Sequence, residues 1–131
     1  MKTFDLIKQY KIFEKDINKR VLKVLSSGSY ILGQNVKSFE NNARKYLATR
    51  YTVSCNSGTD ALVMSLRALN ISSNDQVITT PFTYFATSEA ISLVGAIPIF
   101  ADINPHTFNI NPKKIEKLIS KKTKAILSVN L

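Results

Sequence analysis

Two short stretches hold residue types from which a ligand site could be built: Asn56-Ser57-Gly58-Thr59 and Pro81-Phe82-Thr83-Tyr84-Phe85-Ala86-Thr87. The first follows an alternating apolar run (Tyr51, Val53, Cys55) and leads into apolar positions at helical spacing (Ala61, Leu62, Leu66, Leu69). A strand that turns directly into a helix presents unpaired N–H groups at the positive end of the helix dipole. That arrangement suits an anion, typically phosphate. Gly58 lets a ligand come close to the backbone, and Thr59 adds a hydroxyl donor. A plainer reading fits the same residues: Ser57 caps the helix and Asp60, at the third position on, completes a capping box. The second stretch supplies aromatic rings able to stack on a flat heteroaromatic ligand, although burial in a core is the plainer fate of each ring. Together the two stretches point to a planar ring bearing a phosphate.

Other candidate groups are weaker. His106 is the single histidine and sits in a turn after Pro105, where a surface role is expected. Cys55 is expected to point inward from a strand as a packing residue. Asp102 follows a strand and suits a turn. No Ser/His/Asp set, metal-ligand cluster or Walker-type glycine loop stands in the sequence. A single cysteine excludes an intrachain disulfide.

The elements that must position these residues follow from periodicity. Ile7, Tyr10, Phe13, Ile17, Val21 and Leu25 recur at spacings of three and four and predict an amphipathic helix over 5–25, ended by Ser26-Ser27-Gly28-Ser29. Residues 30–33 read as a short extended piece, and Asn35 as the cap of a second helix carrying Val36, Phe39, Ala43, Tyr46 and Leu47. Strands are expected at 51–55, 76–80, 96–101 and 124–129. Helices are expected at 58–69 and 84–94, and after Asn111 with Pro112 in the first turn. Strands alternating with helices predict an α/β fold with a mostly parallel sheet. The last residues, Val129-Asn130-Leu131, are expected to finish a buried parallel strand, which needs cover on both faces. The chain therefore reads as cut short.

The 131 residues fit one domain, and 44% hydrophobic with 21% charged residues is an ordinary globular composition. No apolar run is long enough to span a membrane, and the N-terminus lacks a signal-peptide core. Eighteen basic and nine acidic residues give a net charge of +9. Lys11, Lys15, Lys19 and Lys23 form a basic stripe on one helix face. It reads either as a contact to a phosphate backbone or as a solvated face. No aromatic residues interleave with it as a stacking platform would need, which disfavours nucleic acid.

Several segments, in order and spacing, resemble the N-terminal third of the DegT-type sugar aminotransferases, pyridoxal-phosphate enzymes of fold type I. They are Phe4-Asp5-Leu6, the run from Ser27 through Tyr30 to Gly33, Ser57 to Leu62, Thr79 to Thr87, Phe100 to Pro105 and Thr107 to Pro112. The run at 28–33 looks closest to the branch acting on UDP-linked 3-keto amino sugars or uronates. The resemblance implies a three-layer α/β fold, the mostly parallel sheet of an aspartate-aminotransferase-like large domain, here truncated. It implies an N-terminal helical segment over 1–50 and an incomplete pyridoxal-phosphate-binding domain over 51–131. Gly58 and Thr59 would bind the cofactor phosphate, Tyr84 would stack on its pyridine ring, and Gly28 and Tyr30 would touch a nucleotide-sugar substrate. The reaction would move an amino group from glutamate to a ketone on the sugar, in a homodimer when complete, in the cytoplasm (or an organelle stroma or matrix if encoded there).

The resemblance also implies that the Schiff-base lysine and the aspartate facing the pyridine nitrogen lie beyond residue 131, so no catalytic residue is assigned within this chain. Alone, the chain is expected to be inactive and marginally stable, with its first and fourth strands unpaired on one side. A reading of a different class is a non-catalytic binding or regulatory protein whose basic helix contacts nucleic acid or a partner protein. A third is a piece that docks with a separately encoded C-terminal half.

Overall fold

The computed structural model describes residues 4–130. The chain divides into two compact units, Met1–Ser54 and Cys55–Leu131. Each is described by itself.

The first unit holds α1 (Leu6–Ser27) and α2 (Gln34–Tyr46). Asp5 caps α1 by accepting the Lys8 amide at 3.0 Å. Gly28 ends the helix with φ 65°, its amide donating to the Leu25 carbonyl, the left-handed exit that glycine adopts without a Cβ penalty. Between the helices the chain bends irregularly, and Leu32 itself takes φ 49°. The expected extended piece at 30–33 is therefore absent. α2 starts one residue before Asn35, with Gly33 at the cap position and no side-chain cap bond, so Asn35 falls inside the first turn and is not the cap. No residue of either helix is buried, and the lysine stripe of α1 is exposed along with its apolar face.

The segment at 51–54 forms no strand. Its alternating pattern suits a pleated ribbon, but a strand exists only with a hydrogen-bonding neighbour. Here the Ser54 amide instead donates to the Glu40 carboxylate at 2.8 Å. With no sheet at this point there is no inner face for Cys55, which is exposed rather than packed inside as its place in the pattern suggests.

The second unit is α/β. Its elements run α3 (Gly58–Ala68), β1 (Gln76–Thr79), α4 (Ala86–Leu93), β2 (Ile97–Phe100), α5 (Pro112–Glu116) and β3 (Thr123–Ile126). The three strands form a wholly parallel sheet in the order β2-β1-β3. The central β1 is buried on both faces, with Val77, Ile78 and Thr79 all at 0% exposure, as a near-continuous apolar strand flanked by neighbours must be. β2 and β3 are the edges and only half-buried. The expectation of a buried strand finishing at the end of the chain is thus corrected for Val129 and Asn130, which lie past β3; Leu131 lies outside the described residues. One face of β1 packs through Val77 on a cluster built from Leu66 of α3, Ala90 and Ile91 of α4, and Ile71, Val94 and Ala96 of the connections. Burial of one such aliphatic side chain contributes about 1.5–3 kcal/mol. Asn111 caps α5 through the Lys113 amide at 3.0 Å, with Pro112 in the first turn, as its sequence predicts.

Candidate functional site

The geometry of the second unit brings two loops to one end. α3 is joined to β1 by the short connection at 69–75 and packs on α4, with its Leu66 in one cluster with Val77 of β1, which sets its N-terminus toward the strand's carboxyl end. α4 begins a few residues after β1 and starts at that same end. In open parallel sheets this is where ligands sit.

At the start of α3, Ser57 is the cap. Its Oγ accepts the Asp60 amide at 3.1 Å and donates to the Asp60 carboxylate at 3.1 Å, so the capping reading holds. It does not consume the anion reading. The cap uses the third amide of the helix, and among the described residues no hydrogen bond reaches the amides of Gly58 and Thr59. A Cβ built on Gly58 would meet no atom within 4 Å, and the residue is not in the left-handed region. Neither packing nor conformation demands glycine here. What its missing side chain leaves is open space at the first residue of the helix, which also carries one of two successive unpaired N–H groups.

The second loop is held at both ends. Thr80, fully buried, accepts the Phe82 amide on its Oγ1 at 3.1 Å. The Thr83 amide donates to the Pro81 carbonyl at 3.1 Å, and the Thr83 and Thr87 hydroxyls lie 2.9 Å apart. The Thr87 amide returns to the Tyr84 carbonyl at 3.1 Å. From this frame the Tyr84 ring projects with 83% of its surface exposed, Phe85 with 72% and Phe82 with 50%. The plainer of the two readings, burial of each ring in a core, does not hold: the core is filled by aliphatic residues of α3, α4 and β1, and the rings sit past the strand end, largely exposed.

Gly58, Thr59 and Tyr84 thus share the carboxyl end of the sheet. Gly28 and Tyr30 belong to the first unit. There the Tyr30 hydroxyl donates to the Leu25 carbonyl at 3.0 Å, and the ring lines an open cavity of about 380 Å³ together with Lys23, Ser27, Gly33 and Asn35. A Cβ at Gly33 would stand 2.7 Å from the Ser29 carbonyl oxygen, so this glycine, to which the sequence reading gave no role, shapes the cavity wall. His106 is exposed in a turn, and Asp102 accepts the Ile103 amide at 2.8 Å. Among the described residues no group of three or more His, Cys, Asp or Glu could hold a metal ion, and no helix is long and apolar enough to cross a membrane.

Beside the second loop lies a ring contact that no local sequence pattern announces. Phe82 stacks on Phe108, with ring centroids 5.7 Å apart and planes inclined by 28°. The only local signal is the aromatic residue in a turn-rich stretch, and nothing there names its partner.

Comparison with known proteins gives a consistent picture. The profile of the DegT/DnrJ/EryC1/StrS aminotransferase family matches residues 11–131. The UDP-2-acetamido-2-deoxy-3-oxo-D-glucuronate aminotransferase of Pseudomonas aeruginosa is 40% identical over 127 residues, covering 97% of this chain and 35% of its own length. A DegT/DnrJ/EryC1/StrS aminotransferase from Brucella abortus superposes with a TM-score of 0.92 at 36% identity, over 100% of this chain and 37% of that one. The Bacillus subtilis protein NtdA, solved with bound cofactor PMP, superposes with a TM-score of 0.84 at 39% identity, over 87% of this chain and 26% of that one. The chain spans about a third of the length of the curated relatives it matches.

Proposed function

The chain belongs to the DegT/DnrJ/EryC1/StrS aminotransferase family, and on that premise we propose that it is the N-terminal, cofactor-cradling part of a pyridoxal-phosphate-dependent nucleotide-sugar aminotransferase. The observation that carries the reading is the pair of unpaired amides at Gly58 and Thr59, with open space before them at the start of α3. Two amides at a helix N-terminus bind a phosphate without a counter-charge from a side chain. The residues present fit the cofactor: the cradle is empty of side chain where Gly58 stands, and Tyr84 offers an uncovered ring on the neighbouring loop.

Pyridoxal phosphate, when bound, supplies the electron sink for amino transfer, and the protein supplies binding and orientation. Gly58 and Thr59 would hold the phosphate, the Thr59 hydroxyl adding a third donor, and Tyr84 would stack on the pyridine ring. Gly28 and Tyr30 contact the sugar nucleotide, glutamate gives the amino group, and the working enzyme is a homodimer. On this reading the group that bonds the cofactor covalently lies in the share of the family enzyme that this chain does not span, and the residues described would bind and orient.

Two measurements test this. The intact mass of the protein from its source cells should lie well above that of a 131-residue chain. Pyridoxal phosphate should then bind, with an absorbance shifted away from that of the free aldehyde. A protein of full family length that binds no pyridoxal phosphate would remove the reading.

A further inference from the structure

We propose that Phe108 is a positioning residue that holds the 81–85 loop, and through it Tyr84, by stacking on Phe82. The consequence for Tyr84 rests on the cofactor reading above; the mechanical role does not. Phe108 has φ 58°. A bulky aromatic residue in the left-handed region is a backbone outlier, and such outliers persist only where surrounding contacts over-determine them.

Those contacts are present. Residues 102–111 follow β2 and fold back as a small hairpin, with an antiparallel bridge between Ile103 and Ile110. The Asn111 amide closes its base on the Asp102 carbonyl at 3.0 Å. At its tip the Phe108 amide donates to the Asn104 carbonyl at 2.8 Å, and the Asn104 amide to the Asn109 carbonyl at 2.9 Å. The hairpin is anchored to the sheet where the Ala101 amide meets the Thr79 carbonyl at 2.8 Å. Left-handed turn positions favour glycine or asparagine, and the turn would close more readily with either. A phenylalanine there supplies one thing they lack, the ring that reaches Phe82.

Phe82 sits two residues before Tyr84. The inner side of its loop is pinned by Thr80 and by the Thr83–Thr87 hydroxyl pair; the Phe108 ring is the outer pin. Tyr84 has no hydrogen bond of its own hydroxyl among the described residues and is mostly exposed, so its direction is inherited from the loop backbone. Phe108 thereby sets where that ring starts without touching it.

The test is hydrogen–deuterium exchange on the protein as its gene encodes it, comparing Phe108→Asn with Phe108→Tyr. Asparagine keeps the left-handed turn and removes the ring; tyrosine keeps the ring. An aromatic pair of this kind corresponds to roughly a two- to tenfold change in local opening. Peptides over 81–86 should exchange faster by that factor in Phe108→Asn and return to the parent rate in Phe108→Tyr, with β1 unchanged in both. Phe82→Leu, which leaves the strained turn intact, should reproduce the rise. Unchanged exchange over 81–86 in Phe108→Asn overturns the proposal, as does a rise spread equally through β1. Pyridoxal phosphate affinity should fall with the exchange change while affinity for inorganic phosphate holds. If the parent protein binds neither compound, the cofactor reading falls, and the exchange comparison still decides the role of Phe108.

Discussion

Replacing Gly58 with alanine should make the protein slightly more stable and a much poorer anion binder. The added Cβ meets no protein atom within 4 Å, and Gly58 is not among the positive-φ glycines, so nothing in the folded chain resists it. Alanine also restricts the unfolded chain, which stabilises by about 0.4–1 kcal/mol at a compatible position, or roughly 2–6 °C in Tm for a domain of this size. On the cofactor reading, the same methyl group would crowd a phosphate held at the unpaired Gly58 and Thr59 amides. A hydrogen bond to a charged group is worth about 1.5–3 kcal/mol, so displacing the phosphate from one amide weakens binding about ten- to hundredfold. Calorimetry of the ligand-free protein gives the first quantity, and fluorescence titration with pyridoxal phosphate gives the second. An unchanged affinity would place the phosphate elsewhere. A lower Tm would mean that Gly58 is packed after all, and would refute the argument from open space.

Other perturbations probe the frame that carries the site. Gly95 has φ +85° and an added Cβ would stand 2.8 Å from the Ser73 Oγ; Gly95→Ala should cost about 1–3 kcal/mol in urea unfolding, and a neutral result would show that the α4–β2 turn relaxes freely. Ile78 is fully buried on the central strand, so Ile78→Ala should cost about 2–5 kcal/mol, read from the same unfolding curves. Thr79 is fully buried and its Oγ1 donates to the Leu127 carbonyl at 2.8 Å. Thr79→Val should cost about 1–3 kcal/mol through the orphaned carbonyl; no loss would mean that Leu127 finds another donor.

Features written by local rules were legible in the sequence. The Ser57–Asp60 cap, the Asn111-Pro112 helix start, the glycine exit at Gly28 and the apolar run of β1 each depend on residues within a few positions of one another. The strand expected at 51–55 failed because alternation describes a ribbon's two faces and says nothing about whether another backbone lies beside it. Cys55 failed with it. The aromatic residues at 82, 84 and 85 left two readings open in the sequence, because hydrophobicity sets a preference for burial while the fold decides which positions lie past the end of a sheet. The Phe82–Phe108 stack joins two turns brought together only by the pairing of β1 with β2, so no periodicity could announce it. The start of α3 was half legible: the Ser57–Asp60 cap follows from residue types, but that the cap leaves two amides unpaired is a fact of geometry.

The buried polar side chains explain why this end of the sheet can act as a fixed frame. Among the described residues they are Thr79, Thr80 and Thr87, and all three lie at or just past the carboxyl end of β1. Valine has nearly the shape of threonine, so packing alone does not call for the hydroxyls. Each has a partner: Thr79 bonds the Leu127 carbonyl, Thr80 the Phe82 amide, and Thr87 the Thr83 hydroxyl. A buried hydroxyl that is paired contributes little net stability, but one left unpaired costs about 1–3 kcal/mol. Their energy therefore penalises departures from one geometry more than it favours folding. The first ties β1 to the segment after β3, the second fixes the exit of the chain at Phe82, and the third closes the loop onto α4. Tyr84 follows the second of these bonds and lies within the span closed by the third, so a largely exposed ring is carried on backbone held at both sides.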